Sequence, residues 1–214
     1  YLRTIWVEMS RVHSHLLWLG LLADAMGFES LHMESWRLRE KILDMFDETT
    51  GGRIIHSVNQ VGGVQKDMDS IMLNDILHAI DDIEKQMKPI VKTFLHDYTV
   101  QSRLKGVGVL SKDDALAQGA VGPMLRASGV EYDARLLGYG AYKDLTVEPI
   151  ISKDGDSYGR CEVRLKELFQ SFDLIREAIG KIPQGDISVP VKGNPDGEYF
   201  VRIEQPRGEA IYYV

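Results

Sequence analysis

The chain contains one cysteine, Cys161, among its 214 residues. A lone thiol closes no internal disulfide and supplies no cysteine-rich zinc or iron–sulfur site, and it fits a reducing compartment. Basic residues are also in the minority, 25 against 32 acidic ones, for a formal charge of −7. Nucleic acid, which wants a basic face, gets no support as a partner. Long apolar runs are missing too. The early stretch LLWLGLLADAMGF is broken by Gly20 and Asp24 and falls short of the ~20 residues a membrane span needs. No signal peptide or transmembrane helix is legible. The paired glycines at 51/52, 62/63 and 106/108 form neither a dinucleotide fingerprint nor a phosphate loop, so nucleotide binding is not supported.

What the chain does have is apolar periodicity. Its hydrophobic content of 44% suits a buried core. Leu2, Ile5, Trp6, Met9, Val12, Leu16 and Leu19 stand at helical spacing, which predicts a long, heavily buried first helix over 2–26, ended by Gly27. Ser30 is the expected cap of a second helix running to Glu48. A heptad seam from Leu73 to Phe94 predicts one long helix over 67–103, bent at Pro89. A second seam, from Cys161 to Ile182, ends at Pro183. Stripes of this kind must be buried against neighbours, so the fold class is mainly α: a long-helix bundle with a small peripheral β-sheet in the C-terminal part. The expected layout is a helical bundle over 1–105 and a connecting region over 106–157 rich in Gly, Pro and Tyr, with one short helix capped by Ser111 and Asp114. A long bundle helix over 158–183 and a β element over 184–214 complete a single domain.

Cys161 lies on its seam and reads as an inert core thiol. His13 and His15, two apart on a helix, diverge by ~200° and are not expected to chelate together. DGDSYGRCE imitates the start of a calcium loop, but Tyr158 and Leu165 stand where ligands belong. It reads as a turn before a helix.

Three features are candidates for function. Glu8, Arg11 and His15 form a titratable stripe on the apolar first helix. It is either a solvated or structural ion-pair face, or a buried polar relay. Arg53 and His56 sit in a glycine-bounded loop. Near the end of the chain, QPRGE places Arg207 between Pro206, which fixes φ, and Gly208, which frees it.

The stretches YLRTIWVEMSRVHSHLLWLG, WRLREKILDMFDETTGGRIIHSVNQVGGV, KGVGVLSKDDALAQGAVGPMLRASGVEYDAR and RIEQPRGEAIYYV, in this order, resemble one superfamily. It comprises the large subunits of energy-converting nickel–iron hydrogenases and the homologous forty-nine-kilodalton subunit of respiratory complex I. The resemblance implies a helical bundle with a small sheet. In the hydrogenase branch two Cys-x-x-Cys pairs hold nickel and iron. Neither pair is here, so the chain reads as the middle of a longer subunit and is expected to carry no cofactor, bind no nickel and show no turnover alone.

The resemblance matches Arg207, beside Pro206, to an arginine held over the open face of the metal site. Glu8, Arg11 and His15 become candidate relay residues, and Arg53 and His56 are expected to face an iron–sulfur cluster in a small partner subunit. Membrane subunits and a ferredoxin-like electron donor are the other implied partners, with the complex peripheral on the cytoplasmic face of the cell membrane. The quinone-reducing branch has a histidine where Ile55 stands and an aspartate where Ala25 stands. These departures favour the hydrogenase branch. The alternatives are the complex I homologue, shaping a quinone site, and a scaffold paralogue without chemistry.

Overall fold

The computed structural model describes residues 1–194 and 196–214. The first helix, α1 (Leu2–Ala25), is the axis of the molecule and packs against both α2 (Glu29–Thr50) and α7 (Ser157–Gly180). Ile5, Met9, Val12, Leu16, Leu19 and Ala23 are completely buried along one stripe. Each large apolar side chain among them contributes about 1.5–3 kcal/mol of burial. Gly20 lets the helices approach, because a Cβ there would lie 2.6 Å from the Trp36 ring of α2. The helix that carries the first heptad seam, α3 (Ser70–His96), packs on α7 and α2 through Ile76, Ile80, Ile83, Met87, Ile90 and Phe94. Cys161 is fully buried, and burial pushes its thiol up to about 12.

Three helix boundaries differ from expectation. Ser30 lies inside α2, which starts at Glu29 after Phe28 without a side-chain cap. The helix expected over 67–103 is two. Asp69 caps α3, and Asp97, in extended backbone, accepts from the amides of Thr99 and Val100 to start α4 (Tyr98–Leu104). A capping aspartate in extended backbone outcompetes continuation of the seam. α3 itself runs through Pro89. The connecting region holds two short helices rather than one: α5 (Lys112–Ala117), capped by Ser111, and α6 (Gly122–Ala127), with Pro at its first turn. Two 3₁₀ turns follow, Ala134–Leu137 and Tyr142–Asp144.

The strand content is small and antiparallel. β1 (Asn59–Gln60) pairs with β2 (Gly63–Val64), and a bridge joins Gly63 to Ser188. β3 (Phe200–Gln205) and β4 (Gly208–Tyr213) form a hairpin with Pro206 and Arg207 at its corner. The hairpin lies over α6. Gly208 has φ of +135°, and a Cβ there would lie 2.6 Å from Val121 Cγ2, while a Cβ on Gly122 would meet Gly208 Cα at 2.4 Å. Two backbones thus touch where neither residue can carry a side chain.

Candidate functional site

The titratable stripe of α1 is not solvated. Glu8 and Arg11 are completely buried and His15 is 1% exposed. The face points toward α7 and the hairpin, where the chain supplies counter-charges. Glu8 accepts from Arg11 Nε at 3.2 Å, Ser171 Oγ at 2.7 Å, Tyr142 Oη at 2.5 Å and Arg135 Nη1 at 3.4 Å. Burial pushes this carboxyl up, but the two arginines outweigh it and hold it at about 2. Arg135 also pairs with Asp133 at 2.7 Å.

A second buried centre lies on the other side of Arg11. Arg126 of α6 donates from Nε to Glu167 Oε1 at 2.8 Å and from Nη1 to Glu204 Oε1 at 2.9 Å. The remaining Glu167 oxygen contacts His15 Nε2 at 2.7 Å. Burial lowers the imidazole pKa to about 4, overriding the attraction of Glu167, whereas Arg126 keeps Glu167 ionised well below the usual carboxylate range despite its burial. A neutral His15 therefore donates from Nε2, leaving Nδ1 as an acceptor.

Both centres grip the hairpin corner. Arg11 donates to the carbonyls of Gln205 at 3.2 Å and Glu204 at 3.0 Å. The Glu204 amide donates to Tyr139 Oη at 2.9 Å, and its Oε2 accepts from the Ala134 amide at 3.2 Å. The two residues before Pro206 are thus tied to α1, α6 and the 3₁₀ turns.

In front of the corner opens a cleft of about 270 Å³ lined by Ser14, His15, Trp18, Met124, Arg164, Pro206 and Arg207. His15, Pro206 and Arg207 meet there. Glu8 and Arg11 stand behind it in the buried network. Arg207 is exposed, and no carboxylate is among the lining residues. Arg53 and His56 are elsewhere, beyond the C-terminal end of α2. Arg53 is exposed and bonded to Asp44 and Glu40, each at 2.6 Å. His56 stacks on Phe46 at 4.1 Å, with Nδ1 2.9 Å from the Gly52 carbonyl. His13 and His15 do diverge: His13 lies edge-on to Phe46, while His15 meets Glu167. Asp156 of the calcium-like stretch caps α7 by accepting from the Gly159 amide. Among the described residues no group of three or more His, Cys, Asp or Glu side chains could hold a metal.

Sequence reasoning on individual residues missed Arg126, Asp133, Arg135, Arg164, Glu167 and Glu204. A signal was present. Arg160, Arg164, Glu167 and Ser171 repeat at steps of four, three and four along α7, a polar stripe beside the apolar seam.

Comparison with known proteins supplies the family. The family model described as "Respiratory-chain NADH dehydrogenase, 49 Kd subunit" matches residues 25–194, and the chain belongs to that family. Over the whole chain it is 36% identical to the alpha subunit of the membrane-bound hydrogenase of Pyrococcus furiosus, covering 54% of that protein. It is 38% identical, again over its full length, to the C/D subunit of the NADH-quinone oxidoreductase of Phocaeicola vulgatus, covering 42% of it. Among solved structures, a chain of the membrane-bound sulfane sulfur reductase, an archaeal respiratory membrane complex, superposes with a TM-score of 0.94 at 30% identity over all of this chain and 60% of that one. The chain spans about half the length of the curated relatives it matches. Those relatives belong to oxidoreductase complexes. No helix among the described residues is long and apolar enough to cross a membrane.

Proposed function

We propose that the chain forms the cleft-bearing part of the large subunit of a membrane-associated, energy-converting hydrogenase, in which proton reduction or dihydrogen oxidation is coupled to electron transfer and ion movement. The observation that carries this reading is the meeting of Arg207, Pro206 and His15 in one cleft whose walls are fixed by buried ion pairs and the His15–Glu167 hydrogen bond. The full-length similarity to the Pyrococcus furiosus hydrogenase protein supports it. Splitting dihydrogen requires a hydride acceptor and a nearby base. The described residues offer no ligand set for a nickel–iron centre, so such a centre would be held by groups outside them.

This chain's own part is electrostatic and protonic. Arg207 brings a permanent positive charge to the cleft. His15, held neutral by burial and oriented by Glu167, offers Nδ1 as a proton acceptor. Glu8 and Arg11 continue the polar path behind it. Arg53 and His56, on a separate surface, would face the iron–sulfur small subunit, with membrane subunits and a ferredoxin-like donor completing the assembly on the cytoplasmic face of the membrane.

A second reading is the role of the forty-nine-kilodalton component in an NADH-quinone oxidoreductase, where the same cleft wall would border a quinone site. The family match and the Phocaeicola vulgatus relative favour it. Purification of the whole native complex, followed by nickel quantification and parallel assays of dihydrogen evolution and quinone reduction, separates the two. Stoichiometric nickel with dihydrogen evolution is expected. Absence of nickel together with quinone reduction would replace the first reading with the second.

A further inference from the structure

Most arginines at the centre of the molecule face a carboxylate. Arg11 has Glu8, Arg126 has Glu167 and Glu204, and Arg135 has Asp133 and Glu8. Arg164 differs. It is only 7% exposed, yet it forms no ion pair among the described residues. Its Nη1 donates to the Arg160 carbonyl at 3.1 Å, and its guanidinium stacks on the Trp18 ring at 4.1 Å. Nε and Nη2 make no hydrogen bond among the described residues. Burial is the larger influence on this group and lowers its pKa to about 10 against the pull of Glu167, whose own oxygens are taken by Arg126 and His15. Desolvating a cation without a counter-ion is costly. The cost is relieved by a negative charge arriving from the open side, and that side is the cleft.

The same cleft is lined by a second guanidinium, Arg207, also without an ion pair among the described residues, and Ser14 adds a hydroxyl. We infer that this cleft is an anion site in which Arg164 and Arg207 together take a small oxyanion or carboxylate of about formate size. Two planar forks suit the two oxygens of such a group, and charge-assisted hydrogen bonds in a partly desolvated cleft are the strong kind. The cleft volume of about 270 Å³ admits an anion of a few atoms with accompanying water. The inference shares its location with the proposed reaction site, but it concerns binding alone and is tested without turnover. A failure of the anion site leaves the hydrogenase reading standing, and the reverse holds as well.

Trp18 is the built-in reporter, because it touches Arg164. The full chain labelled with 5-fluorotryptophan gives resonances for Trp6, Trp18 and Trp36, with Trp18 assigned through Trp18→Phe. Sodium formate is titrated at constant ionic strength. The expected result is a saturable shift of the Trp18 resonance alone, with apparent affinity weakened about tenfold or more in Arg164→Lys, which keeps the charge but loses the fork, and in Arg207→Met. Should Arg164→Lys not fold, as judged by circular dichroism, Arg207→Met at its exposed position carries the test. No saturable shift, a drift common to all the tryptophans, or an unchanged affinity in the folded variants would overturn the anion site.

Discussion

The same chemistry is used twice, once inside the bundle and once on its surface, with opposite consequences. On the surface, Arg53 lies 2.6 Å from both Glu40 and Asp44, and Arg37 lies 2.6 Å from Glu34. Inside, Arg11 and Glu8 are 3.2 Å apart, and Arg135 and Glu8 are 3.4 Å apart. The outer pairs are shorter but are screened by water and ions, and their side chains keep competing partners. The two Glu8 pairs are longer but completely buried. There each charge has been stripped of solvent, so breaking one partner strands the other. Contact distance therefore does not rank these interactions; burial does.

The sharpest way to break this comparison is Glu8→Leu. It leaves Arg11 and Arg135 without their shared carboxylate and removes the acceptor for Tyr142 and Ser171. The expected loss is about 3–5 kcal/mol of unfolding free energy in urea titration. A loss below about 1 kcal/mol would place the inner pairs in the same class as the outer ones.

Acid sharpens the comparison further. The pKa of His15 is about 4 in the folded chain against an ordinary 6.5, so between those values the unfolded chain binds more protons and stability falls as pH falls. The slope is about 1.4 kcal/mol per pH unit for a full proton, and it should diminish in His15→Gln. His13, also lowered to about 4, adds to the same slope. Glu8 acts lower down: its contribution is present above 4.5 and is lost as pH drops toward about 2. Equilibrium unfolding at a series of pH values reads both windows. A flat profile between 6.5 and 4 would contradict the buried, neutral assignment of His15.

A smaller effect is expected at the corner. Gly208→Ala puts a Cβ 2.6 Å from Val121 Cγ2 in a backbone of φ +135°, which costs about 1–3 kcal/mol. It should also raise amide exchange at Gln205 and Arg207 before it affects α1. The smallest effect belongs to Arg53→Ala, which should leave the thermal midpoint within the error of the measurement, because its partners are exposed and remain solvated.

The helices were legible because burial imposes a period, and α1 and α7 begin and end close to the boundaries that the apolar spacing predicts. The capping by Ser111 was equally legible, since a cap is a local interaction. The break at Asp97 was not, because an aspartate within a helical pattern reads as a surface residue until its backbone is seen to leave the helix. The site was legible in part. The spacing of Glu8, Arg11 and His15 put them on one face, but the partners that enclose them, Arg126, Arg135, Glu167 and Glu204, come from far along the chain. Glu167 stood on a visible polar stripe of α7, but no local pattern announces which distant residues pair across the fold. Arg207 was conspicuous through its flanking Pro206 and Gly208, yet the role of Gly208 is close contact with Val121 and Gly122 as much as backbone freedom.

The most direct test of the central claim, that a corner anchored at Glu204 and Gln205 presents a permanent positive charge to the cleft, is the turnover of the assembled native complex carrying Arg207→Gln. A fall of about 10²–10³ with the make-up and thermal stability of the complex unchanged is expected for loss of an electrostatic group at the reacting centre. Turnover equal to that of the unsubstituted complex would contradict it.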